Sequence, residues 1–238
     1  MRTRSWKSRG LALLEILLAL GLLTDSLAIA LLAPFGSVSN PLSSVKALAV
    51  FTTCSSLLLL ALLAILQRLR GEPFLASILG ERGTWGWESV RGLLWVPAVF
   101  AASYGLKSLF RHAAPAIYSG ERNVLEELMR SPADLVLFLF VAIFTGGIKE
   151  EVQRAFVIRR FEAGWGPGWL GALLFAIFFG FGHRVQGADE AIIAGVLGLV
   201  WGILFLRRRS IVAPVVSHGL YDAVELIRYF VFGPMRYL

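Results

Sequence analysis

The sequence predicts an all-α protein, a polytopic membrane helix bundle of about seven transmembrane spans with its chemistry in the C-terminal half. Of 238 residues, 57% are hydrophobic and 16% charged, against roughly 25% charged in an ordinary soluble domain. That apolar excess is more than one core of this size hides, because a soluble surface must be polar. The apolar residues also fall in long runs, and the basic residues cluster between the runs. Together these features exclude a soluble cytosolic enzyme and a disordered chain. The single cysteine, Cys54, excludes a disulfide framework and a Cys-rich metal cluster.

A span needs about 20 predominantly apolar residues. The runs are 11–33, 45–66, 90–110, 133–158, 169–182, 188–206 and 211–232. The fifth is short and the fourth carries charges. The first follows Arg2, Arg4, Lys7 and Arg9 as a signal peptide would. It outlasts the apolar core of about 7–15 residues that a signal peptide has, and no polar cleavage region follows. It therefore reads as an uncleaved first span.

Orientation follows from lysine and arginine placement. With a cytoplasmic N-terminus, the uncharged segment 34–44 lies outside, while Arg68, Arg70, Arg82, Arg159, Arg160 and Arg207, Arg208, Arg209 all fall inside. The net charge of +7 is then topological, and nucleic acid is not an expected partner because the basic residues rim a membrane rather than form one patch. The exception is 111–130, where arginines mix with Glu121, Glu126 and Glu127; segment 121–130 reads as a surface helix. No linker or repeat divides the chain. It is one integral membrane domain, with 1–132 as N-terminal spans and loops and 133–238 as the core that carries chemistry. Ala194, Gly198 and Gly202 recur every four residues, the spacing of a close-packing stripe.

Ionisable residues inside spans are costly and face a partner or a wet cavity. Glu15 and Asp25 in the first span read as helix–helix hydrogen-bonding groups. The stretch from Thr145 onward is denser, with Lys149, Glu150, Glu151 and Arg154 within six positions of an apolar run. Glu150 is four residues from Arg154 and Glu151 three, so either reaches the arginine on a helix. The adjacent carboxylates point about 100° apart, so one can face a cavity while the other binds Arg154. Two of the three histidines join this polar set: Phe179-x-x-x-His183 closes the fifth run, and His218 lies one helical turn from Asp222 in the seventh. His112 reads as surface. Two histidines, a glutamate pair and an aspartate on different spans have the makings of a water-activating or metal site.

In order, Glu-Glu…Arg, Phe-x-x-x-His and His-x-x-x-Asp in successive membrane helices resemble the CPBP family. That family holds the type II CAAX prenyl endopeptidases (Rce1-like) and the bacterial Abi, or bacteriocin-immunity, proteins. The resemblance covers about 135–232. It implies an intramembrane endopeptidase acting on a membrane-associated, prenylated or CAAX-like protein or peptide. It also implies roles: a motif-one glutamate and His183 activate water, while His218 and the residue four positions on stabilise the oxyanion. Two departures matter. Only Val152 and Gln153 separate the glutamate pair from Arg154, where the family has three residues; alignment on either end keeps Glu150 as a motif carboxylate, so Glu150 is the first choice of base and Glu151 the second. Asp222 stands where the prenyl endopeptidases have Asn, and an ionised carboxylate cannot donate to an oxyanion; it can orient His218 or bind a metal. If a divalent ion such as zinc is used, Glu150, His183 and His218 are its ligands.

A helix rises about 1.5 Å per residue, which sets the depth of each group. Glu150 comes roughly 12 Å, and His218 roughly 10 Å, from the cytoplasmic ends of their runs, while His183 comes roughly 21 Å from its own. The site is expected in the cytoplasmic half of the bilayer, with His183 the member that fits worst. Two other functions use the same residues: a non-catalytic immunity or peptide-binding protein, and a proton-coupled transporter. Transport predicts inverted repeats or paired broken helices, and the sequence has neither signal.

Overall fold

The computed structural model describes residues 6–38, 40–119 and 123–234; the expectations placed on Arg2, Arg4 and Glu121 lie outside them. The described residues form an all-helical bundle without strands. In chain order the helices are α1 (Trp6–Ala19), α2 (Leu22–Leu32), α3 (Val45–Leu69), α4 (Phe74–Leu79), α5 (Trp85–Ala113) and α6 (Pro132–Val141). A π-helical segment (Ala142–Glu150) leads into α7 (Glu151–Gly164), followed by α8 (Gly168–Gly182), α9 (Ala188–Arg208) and α10 (Val212–Phe232).

Every apolar run is helical, but the runs are not seven plain spans. Three helices, Val45–Leu69, Trp85–Ala113 and Ala188–Arg208, are long and apolar enough to cross a bilayer; α8 is apolar and shorter. The first run is a broken pair, Arg9–Ala19 and Leu22–Gly36, bent by 42°. Gly21 breaks it with a left-handed φ of 92°, a conformation glycine adopts without a Cβ penalty. The buried Gln153 amide donates to the Ala19 carbonyl at the break (2.6 Å), pairing a group that the interrupted helix leaves without an internal partner. The segment 121–130 is not a surface helix in its described part. It makes one short turn, Glu126–Leu128, and Met129 is buried.

Ser44 caps α3 by accepting from the Ala47 N–H (3.1 Å), and Ser131 caps α6 through Asp134 N–H (3.2 Å). The core gathers apolar residues of α1, α3, α5, α7, α8, α9 and the start of α10. Large apolar side chains also cover the outside: Leu94 is 71% exposed and Phe232 80%, as a lipid-facing surface requires. The expected packing stripe lies against α8. A Cβ on Gly198 would stand 2.9 Å from the Phe179 ring and one on Gly202 3.0 Å from the Ala172 Cβ, so the two helices approach as closely as glycine allows.

The basic clusters converge on one end of the bundle. Buried Glu15 pairs with Arg70 (2.7 Å) and Arg160 (3.2 Å), and Arg160 also holds Glu72 (2.7 Å). That guanidinium keeps the Glu72 carboxyl below its ordinary range. Arg209 pairs with Glu162 (2.7 Å) and Arg208 with Glu88 (2.7 Å). At the far end of α8 and α9, Asn123 bonds Gln186 (3.2 Å) and Lys107 pairs with Glu190 (2.7 Å).

Candidate active site

The site forms where the π-helical segment packs on α10. Three consecutive small or polar positions, Thr145 to Gly147, open that packing. A Cβ on Gly147 would stand 3.3 Å from the Gly219 Cα, and one on Gly146 only 2.4 Å from Asp222 Oδ2. Glycine at these places lets α10 bring His218 and Asp222 beside the glutamate pair. A π-helical stretch bonds each residue one position farther along than an α-helix does and is frequent at functional sites.

The two glutamates part company. Glu151 is 1% exposed and lies within the protein. It pairs with the fully buried Arg154 and accepts a hydrogen bond from His218 Nδ1 (2.8 Å). The Arg154 guanidinium sits over the rings of Phe175 (5.1 Å), Phe179 (5.2 Å) and Trp201 (5.5 Å), a cation–π enclosure for a charge taken out of water. Trp201 also stacks on the His218 ring at 3.8 Å between centroids, and donates to Ser217 Oγ (2.9 Å). Glu150 turns the other way. Its carboxylate lies 3.9 Å from His218 Nε2 and 3.8 Å from Lys149 Nζ. Asp222 Oδ2 is 3.6 Å from the same Nε2.

Glu150, His183, His218 and Asp222 line a single cavity of about 560 Å³, while Glu151 and Arg154 are not in its wall. The cavity continues to Lys107, Asn123, Gln186 and Glu190, residues of the end opposite the arginine network. Its other wall comes from the N-terminal half. Asp25, which bonds Ser55, and Ser56, within 3.3 Å of Thr145 Oγ1, both face it. At its mouth, burial raises the Glu126 carboxyl to about 7.

The ring tautomers follow from their partners, because carbonyl and carboxylate oxygens only accept. His218 gives its Nδ1 proton to Glu151 and His183 gives its Nδ1 proton to the Phe179 carbonyl (2.8 Å). In the singly protonated form of either ring, Nε2 is then the acceptor.

All six sequence candidates are thus near one another, with altered assignments. Glu151, rather than Asp222, orients His218: at 3.6 Å the Asp222 contact is longer than a hydrogen bond. Arg154 takes Glu151 and not Glu150 as its carboxylate partner. The misfit of His183 in depth came from ending the fourth run at 158. α7 continues through 14 residues to Gly164 and α8 spends 15 residues before His183, so both arrive about 21–22 Å from the same end. Glu150 is therefore about 21 Å along its helix from that end, against the roughly 12 Å expected. The donors do not fit a metal centre: among the described residues no three His, Cys, Asp or Glu side chains are arranged to hold an ion. The sequence pattern sets Lys149 in the charged stretch without giving it a role and singles out neither Trp201 nor Gly146. Lys149 was visible as the charge preceding the pair, whereas nothing in the pattern marks Trp201 as a ring stacked on a histidine.

Residues 132–224 match the family model described as type II CAAX prenyl endopeptidase Rce1-like. Neither the curated proteins nor the solved structures give a match.

Proposed function

From the match of a C-terminal segment, 132–224, to the model of the Rce1-like type II CAAX prenyl endopeptidases, we propose that the chain is a member of that family and an intramembrane endopeptidase whose catalytic base is Glu150. The family is a protease family whose substrates are membrane-associated proteins, and the apolar helices fit an integral membrane protein. The observation that carries the finer reading is the division of labour between neighbouring carboxylates: Glu150 faces a cavity that also holds His183 and His218, and Glu151 is sealed behind His218 with Arg154.

The chemistry follows from the groups present. A water held between Glu150 and the Nε2 acceptors loses a proton to Glu150 as it attacks a peptide carbonyl. Glu151 fixes the tautomer and direction of His218, and Trp201 holds the ring in plane from the other side. Arg154 compensates the buried Glu151 charge. His218 donates to an oxyanion only when doubly protonated, since its single proton is on Nδ1. The apolar part of the cavity, with Leu197, Phe178 and Phe179, suits the aliphatic and prenyl groups of a CAAX-type peptide. The wider organisation belongs to the same proposal: seven membrane-embedded helical units, an N-terminal half (1–132) that walls the cavity and a core (133–238) that performs hydrolysis, and a cytoplasmic N-terminus set by the arginine-rich end.

The test is cleavage of a fluorogenic farnesylated peptide ending in Cys-aliphatic-aliphatic-X by protein in proteoliposomes. Wild type is expected to release the C-terminal tripeptide, and Glu150→Ala and His218→Ala to lose at least about 10²-fold in turnover. Full activity in both variants removes the mechanism; peptide binding without cleavage by wild type favours an immunity-type binding protein.

A further inference from the structure

We propose that Lys149 is a catalytic residue whose ammonium stabilises the oxyanion formed at the scissile carbonyl, an inference that rests on the endopeptidase reading. It begins with an inventory of hydrogen-bond donors. Around Glu150 the cavity wall offers acceptors: the carboxylates of Glu150 and Asp222, and Nε2 of His183 and His218 in their neutral forms. An oxyanion needs donors in a site shielded from water. Several neutral donors on this wall have partners. Gln153 donates to the Ala19 carbonyl (2.6 Å), Tyr221 pairs with Ser103 (2.7 Å) and Ser55 with Asp25.

Lys149 stands apart from these. It lines the same cavity, its side chain is 16% exposed, and Glu150, at 3.8 Å, is the carboxylate within 4 Å of Nζ among the described residues. That separation exceeds a hydrogen bond, so the three N–H groups of the ammonium are not committed to Glu150. The Glu150 carboxylate lies between two groups, with Oε1 toward Lys149 Nζ and Oε2 toward His218 Nε2. A water on that carboxylate therefore attacks beside the lysine.

The step balances as follows. The water oxygen forms a bond to the carbonyl carbon while its proton passes to Glu150, and the carbonyl π pair moves onto oxygen, where the negative charge meets Lys149. On collapse the C=O bond re-forms, the C–N bond breaks, and the leaving nitrogen takes the proton from Glu150. Lys149 keeps its protons throughout, and its interaction is strongest when the oxygen is fully charged. An interaction made in the transition state and weakly in the ground state appears in kcat rather than KM.

The experiment compares wild type, Glu150→Gln, Lys149→Met and Lys149→Arg on the farnesylated peptide in proteoliposomes, with thermal unfolding of each in detergent. Lys149→Met is expected to lower kcat by about 10²–10³-fold with KM nearly unchanged, and Lys149→Arg to recover a substantial part of the loss. A Lys149→Met kcat within about twofold of wild type, while Glu150→Gln is inactive, overturns the lysine's role and leaves the endopeptidase reading intact. A raised KM with unchanged kcat also overturns it, since that marks ground-state binding of the peptide. Should Lys149→Met not fold, Lys149→Arg decides: activity near wild type supports the role of the charge and loss equal to Glu150→Gln opposes it. No turnover by wild type, or full turnover by Glu150→Gln, overturns the endopeptidase reading itself.

Discussion

Adjacent residues on a helix diverge by about 100°, enough to send Glu150 into the cavity and Glu151 into the packed interior. The Glu151 side is the costly one. Two charges removed from water persist only where each is compensated, and Arg154 meets that need with Glu151 on one side and three aromatic rings around it. Replacing Arg154 with Met leaves Glu151 buried without its cation. Stability is then expected to fall by about 3–5 kcal/mol, read as a lower unfolding midpoint in detergent; an unchanged midpoint shows that Arg154 does not compensate Glu151. The sequence narrowed this pair without deciding it, because positions three and four apart both reach along a helix. The decision came from which face α10 covers, and no local spacing encodes that.

Among the elements, the π-helical segment matters most to the site. It allows Gly146 to face Asp222 so closely that a Cβ there would displace the carboxylate, and Gly147 to face Gly219 at a distance tight for a Cβ. Gly146→Ala is expected to push Asp222 and the neighbouring His218 out of register, with loss of at least about tenfold in turnover and a smaller change in unfolding midpoint. Activity equal to wild type in that variant means the close approach has no functional part. The helical runs themselves were legible from composition. The break at Gly21 was not, since Leu20 and Leu22 continue the apolar pattern on both sides and a left-handed glycine leaves no trace in hydrophobicity. The end of α7 was also misread: Arg159, Arg160 and Glu162 suggest solvent, yet they are bound by Ser77, Glu15, Glu72 and Arg209 and the helix runs on to Gly164.

At the scale of the whole molecule, the arginines that looked like scattered topology signals are held in ion pairs with Glu15, Glu72, Glu88 and Glu162 at one end, while the cavity reaches residues of the other. The polar set of the C-terminal half was readable because charges in an apolar run are conspicuous. The cavity was not, because its second wall is built from Asp25, Thr52, Ser55 and Ser56, ordinary-looking residues in the first spans. The N-terminal half is therefore more than a set of added spans; it closes the chamber in which Glu150 and Lys149 stand.

The account turns on two neighbouring carboxylates having different work, and one paired measurement addresses it: turnover of the farnesylated peptide and unfolding midpoint for Glu150→Gln and Glu151→Gln side by side. Glu150→Gln should lose turnover by about 10²–10⁴-fold while unfolding with wild type, and Glu151→Gln should lower the midpoint together with turnover. Turnover retained in Glu150→Gln and abolished in a fully stable Glu151→Gln would contradict the assignment and make the buried glutamate the base.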